Sequence, residues 1–303
     1  MIRPLLKWAG GKRQLLPALR RFYPDRFTRY VEPFLGSGAV FFDLCALGRL
    51  DRREAWLVDD NVDLMGCYMA LQRDVSAVID ALKPLEEGHR RHGDAHFYEV
   101  RDQRFNRARE RFRSLEAPDA RQYTAELAAM LIYLNRTGFN GLFRLNARGA
   151  FNVPVGRYSN PRICEPEHLR EVARALSRPG VRLVHGEFDA TLATCGRGDF
   201  VYCDPPYAPL SATSSFTSYT AGGFTAHDQA RLQRSLIAAA RRGARVLLSN
   251  STAPLIRKLY TSTDARRAKL RARRILARRA INSRASARGL VQEYLITNLS
   301  PQA

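Results

Sequence analysis

Apolar residues fall along this chain in two rhythms. Short runs rich in β-branched and aromatic residues predict strands at "TRYVEPF" (28–34), "EAWLVDD" (54–60), "VRLVHGE" (181–187), "DFVYCDP" (199–205), "ARVLLSN" (244–250) and "LVQEYLIT" (290–297). The last four have the look of buried strands. Helical spacing appears at "AVFFDLCALG" (39–48) and again over 225–243, where Leu232, Leu236, Ile237 and Ala240 share a face. Thr225 with Asp228 three residues on predicts a capping box there, and Gly243 a stop. Such alternation predicts an α/β fold, a mostly parallel sheet covered by helices on both faces. Residues 61–165 break the rhythm. They are helical by pattern, as in "TAELAAMLIYLN" (124–135), and then turn into a Gly-, Asn- and Arg-rich run over 135–158. Turn signals at Asn140-Gly141 and Arg148-Gly149 predict a β-hairpin in that run. The chain therefore divides into 1–60 with 166–303 as one domain and 61–165 as a second, mainly helical domain inserted into it.

Composition changes this picture in one respect. The net charge is +20, and only five of the 49 basic residues are lysine. A strongly basic chain suits a polyanionic partner, since each cation that displaces a counterion from a phosphate backbone adds salt-sensitive affinity. Arginine suits phosphates and guanine edges, and a GC-rich genome produces the same bias. The run 265–289 concentrates this charge and reads either as a solvated helix and loop or as a phosphate contact. Five widely spaced cysteines with no Cys-x-x-Cys pair point to reduced thiols rather than a disulfide frame or zinc site. No apolar run reaches the length of a membrane span and no signal peptide opens the chain, so a soluble cytoplasmic protein is expected. His89, His92 and His96 have near-helical spacing without supporting acids and read as a solvated face, not a metal site.

Two stretches carry chemistry. In "EPFLGSGAVF", Gly36 and Gly38 permit a tight turn between a strand and a helix, and Asp59 ends the next strand about 20 residues on, the spacing of a ribose acid. Asp60 stands beside it and competes for the role. The second stretch is "VYCDPPYAP". Prolines lack an N–H, so Pro205 and Pro206 end strand pairing and can leave carbonyls to accept hydrogen bonds. An exocyclic amine finds two acceptors here, the Asp204 carboxylate and the Pro205 carbonyl, and Tyr207 can stack on the ring that bears it. Drawing both hydrogens of a delocalised amine localises its lone pair, a gain realised mainly in the transition state. Cys203, alternating with Tyr202 along the strand, reads as a buried neighbour rather than a nucleophile.

With these motifs in order, the sequence resembles the S-adenosylmethionine-dependent amino-methyltransferases, specifically the Dam-type DNA adenine-N6 methyltransferases. The likeness runs from "LLKWAGGK" through "VEPFLGSGAVF", "LVDDN", "YLNRTGFNGLFRLNARGAFNVPVGRY" and "VYCDPPYAPLSATSSFTSY" to "LLSN". It implies a Rossmann-like class I methyltransferase sheet interrupted by a target-recognition domain carrying the hairpin. It places Trp8, Lys12, Phe34, Gly36, Gly38, Asp59 and Asp204 in the S-adenosyl-L-methionine site, and makes Asp204, Pro205, Pro206 and Tyr207 the catalytic tetrapeptide. In the hairpin it makes Arg144 the reader of a guanine edge, a contact worth roughly 1–3 kcal/mol of discrimination. Phe139 and Leu142 become wedges beside a flipped base, Asn140 the partner of the orphaned base, and Pro154 and Arg157 further DNA contacts. Phe139 stands where relatives often carry tyrosine, which keeps stacking and loses a hydroxyl. The implied partner is double-stranded DNA, with GATC as target, a monomeric enzyme, and neither metal nor membrane. The alternatives are a cytosine-N4 or RNA adenine methyltransferase, or a catalytically silent DNA-binding regulator.

Overall fold

The computed structural model describes residues 2–8, 10–210, 223–278 and 290–302. Within the motifs above, Ala9, Ser211 to Tyr219 and the whole of 279–289 therefore lie outside the described residues. Seven strands form among them: β1 (Arg29–Glu32), β2 (Glu54–Asp59), β3 (Val181–His185), β4 (Asp199–Cys203), β5 (Arg245–Ser251), β6 (Arg271–Arg278) and β7 (Leu290–Thr297). The chain divides into two compact units. The first holds 1–11, 36–46 and 59–185, the second 12–35, 47–58 and 186–303. The first thus extends past residue 165 to take in the amphipathic helix Pro166–Leu176 and β3.

In the second unit six strands lie in the order β2-β1-β4-β5-β7-β6. β2, β1, β4 and β5 are parallel, and β7 runs antiparallel between β5 and β6. Alternation along β4 sorts its side chains. Phe200 meets Tyr23, Phe27 and Tyr30 on one face, while Val201 and Cys203 join Leu232 and Leu236 of the helix Ala226–Arg241 on the other. Each such large apolar side chain contributes about 1.5–3 kcal/mol on leaving water. That helix opens with the capping box of Thr225 and Asp228. Its core face holds Ala239 more deeply than Ala240.

β1 has β2 on one side and β4 on the other, so strand order reverses between β1 and β4. Ligands of open α/β sheets bind beyond the carboxyl ends of strands at such a point. β1 ends there at Pro33-Phe34 and β4 at Asp204.

The first unit is mainly helical. Val62–Arg73 is capped by the Asn61 side chain, and Ala125–Thr137 by Thr124. The run Val75–Glu99 breaks at Gly93, whose φ is +51°. A π-helical turn, Val100–Phe105, then leads into the helix Asn106–Arg113. Among the described residues no helix is long and apolar enough to cross a membrane.

Four sequence expectations need correction. β3 is not a buried strand: its positions are half-buried or exposed, as in a strand with one uncovered face. Arg271–Arg278 is a strand rather than a solvated helix or loop; as an edge strand paired only to β7 it needs no apolar alternation, and its arginines hid it. The hairpin of 135–158 forms isolated antiparallel bridges, Gly138 with Val155 and Leu145 with Phe151, rather than strands. Its tip is at Asn146–Gly149, where the Gly149 N–H reaches the Asn146 carbonyl at 2.8 Å, whereas Asn140-Gly141 lies in a separate 3-10 turn. Finally, His89 and His96 do not form a solvated face. His96 is buried and His89 Nδ1 lies 2.9 Å from the Tyr133 hydroxyl.

Candidate active site

β4 delivers the chain to Asp204 at its carboxyl end, inside the second unit. Asp204 Oδ1 stands 2.8 Å from Lys12 Nζ, with the lysine side chain 6% and the aspartate 18% exposed. The same ammonium lies 4.7 Å from the centre of the Tyr207 ring. Tyr207 donates its hydroxyl to Glu293 Oε2 at 2.7 Å. Burial pushes the Asp204 carboxyl up to about 6; Lys12 pulls it down and Glu293 pushes it further up. Burial also drives the Tyr207 hydroxyl well above its ordinary range, with Asp204 and Glu293 adding to the effect.

The backbone after Asp204 is fixed by groups from two other elements. Gln229 of the helix Ala226–Arg241 donates to the Pro206 carbonyl at 2.8 Å and accepts from Asn250 Nδ2 at 3.0 Å. Asn250, in β5, accepts the Ala208 N–H at 3.2 Å, and Ser251 Oγ donates to the Ala208 carbonyl at 2.6 Å. Of the two proline carbonyls, that of Pro206 is thus already taken. Pro205 is buried. Phe34 stacks on Phe188 at 5.3 Å and meets Phe224 edge-on at 5.7 Å. Burial pushes the Cys203 thiol well up, which leaves it protonated and inert.

A second cluster lies in the first unit. Gly36 adopts φ +48°, a left-handed conformation that a side chain would strain, and a Cβ there would stand 3.1 Å from Trp8 Cδ1. Its N–H donates to Asp59 Oδ2 at 2.9 Å, and the Asn61 N–H donates to Asp59 Oδ1 at 3.0 Å. Tyr68 donates to the Gly36 carbonyl at 3.2 Å. Gly38, also left-handed at φ +66°, accepts the Phe42 N–H in the first turn of the helix Ala39–Ala46. Asp59, rather than the exposed Asp60, is therefore the acid tied to the glycine turn. Burial pushes its carboxyl up to about 7; the Gly36 N–H opposes this and Asp60 adds to it. A carboxylate offers about four lone-pair directions. Two are taken by these N–H groups and the Asp60 side chain bonds Asp59 as well, which leaves the half-buried carboxylate room for a further donor such as a ribose hydroxyl, so the turn and its acid fit a nucleoside.

The hairpin residues also belong to the first unit. Phe139 is 45% exposed. Asn140 has φ +54°, a conformation asparagine tolerates. Leu142 is half-buried, and Arg144, Pro154 and Arg157 are exposed. Arg144 Nε donates to Asn152 Oδ1 at 2.8 Å and Nη2 to the Asn152 carbonyl at 3.2 Å.

The sequence reading missed Glu293, Asn250 and Gln229. A lone acid inside the apolar run "LVQEYLIT" was a signal for Glu293, and the polar end of "ARVLLSN" one for Asn250. Gln229 carries no signal until the helix is placed. Among the described residues, no group of three or more His, Cys, Asp or Glu is arranged to hold a metal ion.

A sheet of this order with a glycine turn answered by an acid at the next strand end, and Asp-Pro-Pro-Tyr at a strand end by the reversal point, defines a Rossmann-like class I methyltransferase. Residues 8–274 match the family described as D12 class N6 adenine-specific DNA methyltransferase, and the chain belongs to that family. It is 35% identical over 302 residues to a type II methyltransferase of Lactococcus lactis subsp. cremoris, covering 98% of this chain and 95% of that one. It is 35% identical over 295 residues to the DNA adenine methylase of Escherichia coli K12, covering 97% and 94%. A DNA adenine methylase of Vibrio cholerae is 36% identical over 308 residues, with 99% of both chains covered.

Proposed function

We propose that this enzyme methylates adenine N6 within GATC in duplex DNA, using S-adenosyl-L-methionine and a target base turned out of the helix. One observation carries the chemical part: the Asp204 carboxylate and the Tyr207 ring already hold an ammonium, that of Lys12. An adenine amine becomes cationic as it takes up a methyl group, and a carboxylate beside an aromatic face stabilises that charge. Asp204 and the Pro205 carbonyl accept the two N–H bonds, and Tyr207 stacks on the purine. Asp204 then carries off the proton that the methylated nitrogen must lose. Lys12 has to leave Asp204 for this to happen, and the carboxylate of the cofactor offers its ammonium a second partner.

Trp8, Phe34, Gly36, Gly38 and Asp59 hold the rest of the cofactor, with Asp59 on the ribose hydroxyls. Bound there, it supplies a methyl group activated by a neighbouring sulfonium. Arg144 reads a guanine, Phe139 and Leu142 fill the space of the flipped base, Asn140 meets its former partner, and Pro154 and Arg157 contact the DNA.

Asp204→Ala is expected to abolish transfer of a tritiated methyl group while sparing duplex binding; full activity rejects the role given to Asp204. Sequencing the methylated sites in DNA from cells that express the chain tests the target, and any motif other than GATC overturns that part. Nucleoside mass spectrometry separates N6-methyladenine from N4-methylcytosine.

A further inference from the structure

Among the described residues no strand lies beside the return limb of the 135–158 hairpin, yet its carbonyls are engaged in strict alternation. Gly149, Phe151 and Val153 each accept a side-chain donor from the segment 101–109. Arg109 Nη1 donates to the Gly149 carbonyl. Asn106 Nδ2 donates to the Phe151 carbonyl at 3.0 Å, and Asn106 Oδ1 accepts the Phe151 N–H at 2.8 Å. Arg101 Nη1 donates to the Val153 carbonyl at 3.0 Å. Carbonyls of an extended chain alternate sides, so residues i, i+2 and i+4 present theirs to one flank. The side chains of 101, 106 and 109 thus act as a substitute for a neighbouring strand, with the Asn106 amide copying both bonds of a paired peptide.

This requires the three residues to share one helical face, and a regular helix forbids it. Residues five apart on an α-helix point about 140° away from each other. Here the π-helical turn Val100–Phe105 intervenes, and the Asn106 N–H bonds to the Arg101 carbonyl, which stacks the two residues one turn apart. Arg109 follows three residues later on the same face. Two of the three are anchored from behind. Arg109 Nε is paired to both oxygens of Asp63 at 2.9 and 2.7 Å, a pair almost wholly buried, and Tyr123 donates to the same carboxylate at 3.2 Å. Arg101 is held by both oxygens of Asp102 at 2.8 and 2.9 Å.

Ala150 and Asn152, the residues between the pinned positions, face the other flank; Ala150 bonds Asn146. Asn152 lies between Phe151 and Val153, and its N–H donates to the Arg144 carbonyl at 3.1 Å while its oxygens hold the Arg144 guanidinium. We infer that Asn106 is a positioning residue for base discrimination: through Phe151 and Asn152 it sets the direction of the Arg144 fork, within a rack completed by Arg101 and Arg109. A bidentate contact to a base edge depends on that direction, and a misaligned fork forfeits discrimination without loss of charge. The inference rests on the reading of 135–158 as the target-recognition hairpin.

The test is a double-mutant cycle read as a ratio of kcat/KM on duplexes carrying the cognate site or each single-base change. The unsubstituted chain must first discriminate; if it methylates all duplexes equally, or none, the parent reading fails and this inference with it. Given discrimination, Asn106→Ala is expected to lower the ratio roughly tenfold or more at the base pair that Arg144→Ala also affects, two backbone bonds being lost. In the Arg144→Ala background the same change should add little. Affinity for S-adenosyl-L-methionine should stay unchanged. Undiminished discrimination in Asn106→Ala overturns the inference, and so does an equal loss on every duplex or a loss fully additive with Arg144→Ala, since both mark general loosening. If Asn106→Ala does not fold, Asn106→Asp serves: it keeps the acceptor for the Phe151 N–H, loses the donor, and should give the same pattern at smaller amplitude; wild-type discrimination there overturns the inference equally.

Discussion

Because Asp204 is desolvated at the end of β4 with Lys12 against it, burial and charge pull its proton equilibrium in opposite directions, and burial prevails at about 6. If the carboxylate is the acceptor for the amine, kcat/KM rises as pH climbs through that value. Lys12→Met removes the opposing cation and should move the acid limb to higher pH; a limb that stays in place separates Lys12 from Asp204. Asp59 has a consequence for stability. Its folded value is raised from 3.8 to about 7. Below about 4 both states hold the proton; between there and 7 only the folded state does, so this contribution is lost as pH rises through 7. Asp59→Asn should therefore flatten the fall in melting temperature between pH 5 and 8, measured by calorimetry. Both acids were legible because each ends an apolar strand. The surroundings of Asp204 were not: nothing in the spacing of Lys12, Glu293 or Asn250 tells that they will gather around Asp204-Pro205-Pro206-Tyr207.

Helices and strands were legible where local chemistry agrees with the period. The capping box at Thr225 and Asp228 was read from two residues and forms with Asp228 Oδ2 at 2.9 Å from the Thr225 N–H. Thr225→Ala should cost about 1 kcal/mol in a urea titration; no loss would mean that packing of Leu232 and Leu236 alone holds the helix. Segments stabilised by what lies beside them were illegible. β6 pairs with β7 along its whole length, and its arginines mask positions such as Ala272 that pack against the core. The π turn at Val100–Phe105 has no sequence signal, since one extra residue in a turn leaves composition unchanged. The hairpin was visible in its turn residues, but its two Gly-containing turns could not be ranked without Asn106 and Arg109, which reach it from 45 and 40 residues away.

The net charge of +20 belongs to the molecule as an object in an electric field. Duplex binding should weaken steeply with salt, log K falling against log salt with a slope of about −0.9 for each phosphate contact. A slope near zero would mean that the arginines serve solubility. A division into a sheet-bearing part and a helical part was expected from the change of rhythm near residue 61. The attachment of 1–11 and 36–46 to the helical unit was not, because sequence neighbours were the only guide. One feature of the sheet bears on how the protein is made. β7 lies between β5 and β6, although it follows both of them in the sequence. A nascent chain that has reached residue 285 holds β5 and β6 with nothing to join them, and Tyr207 with no Glu293 to bind. Synthesis, at roughly 5–20 residues per second, must therefore pass Thr297 before this half can close, and a premature stop at 285 would discard the enzyme rather than trim it.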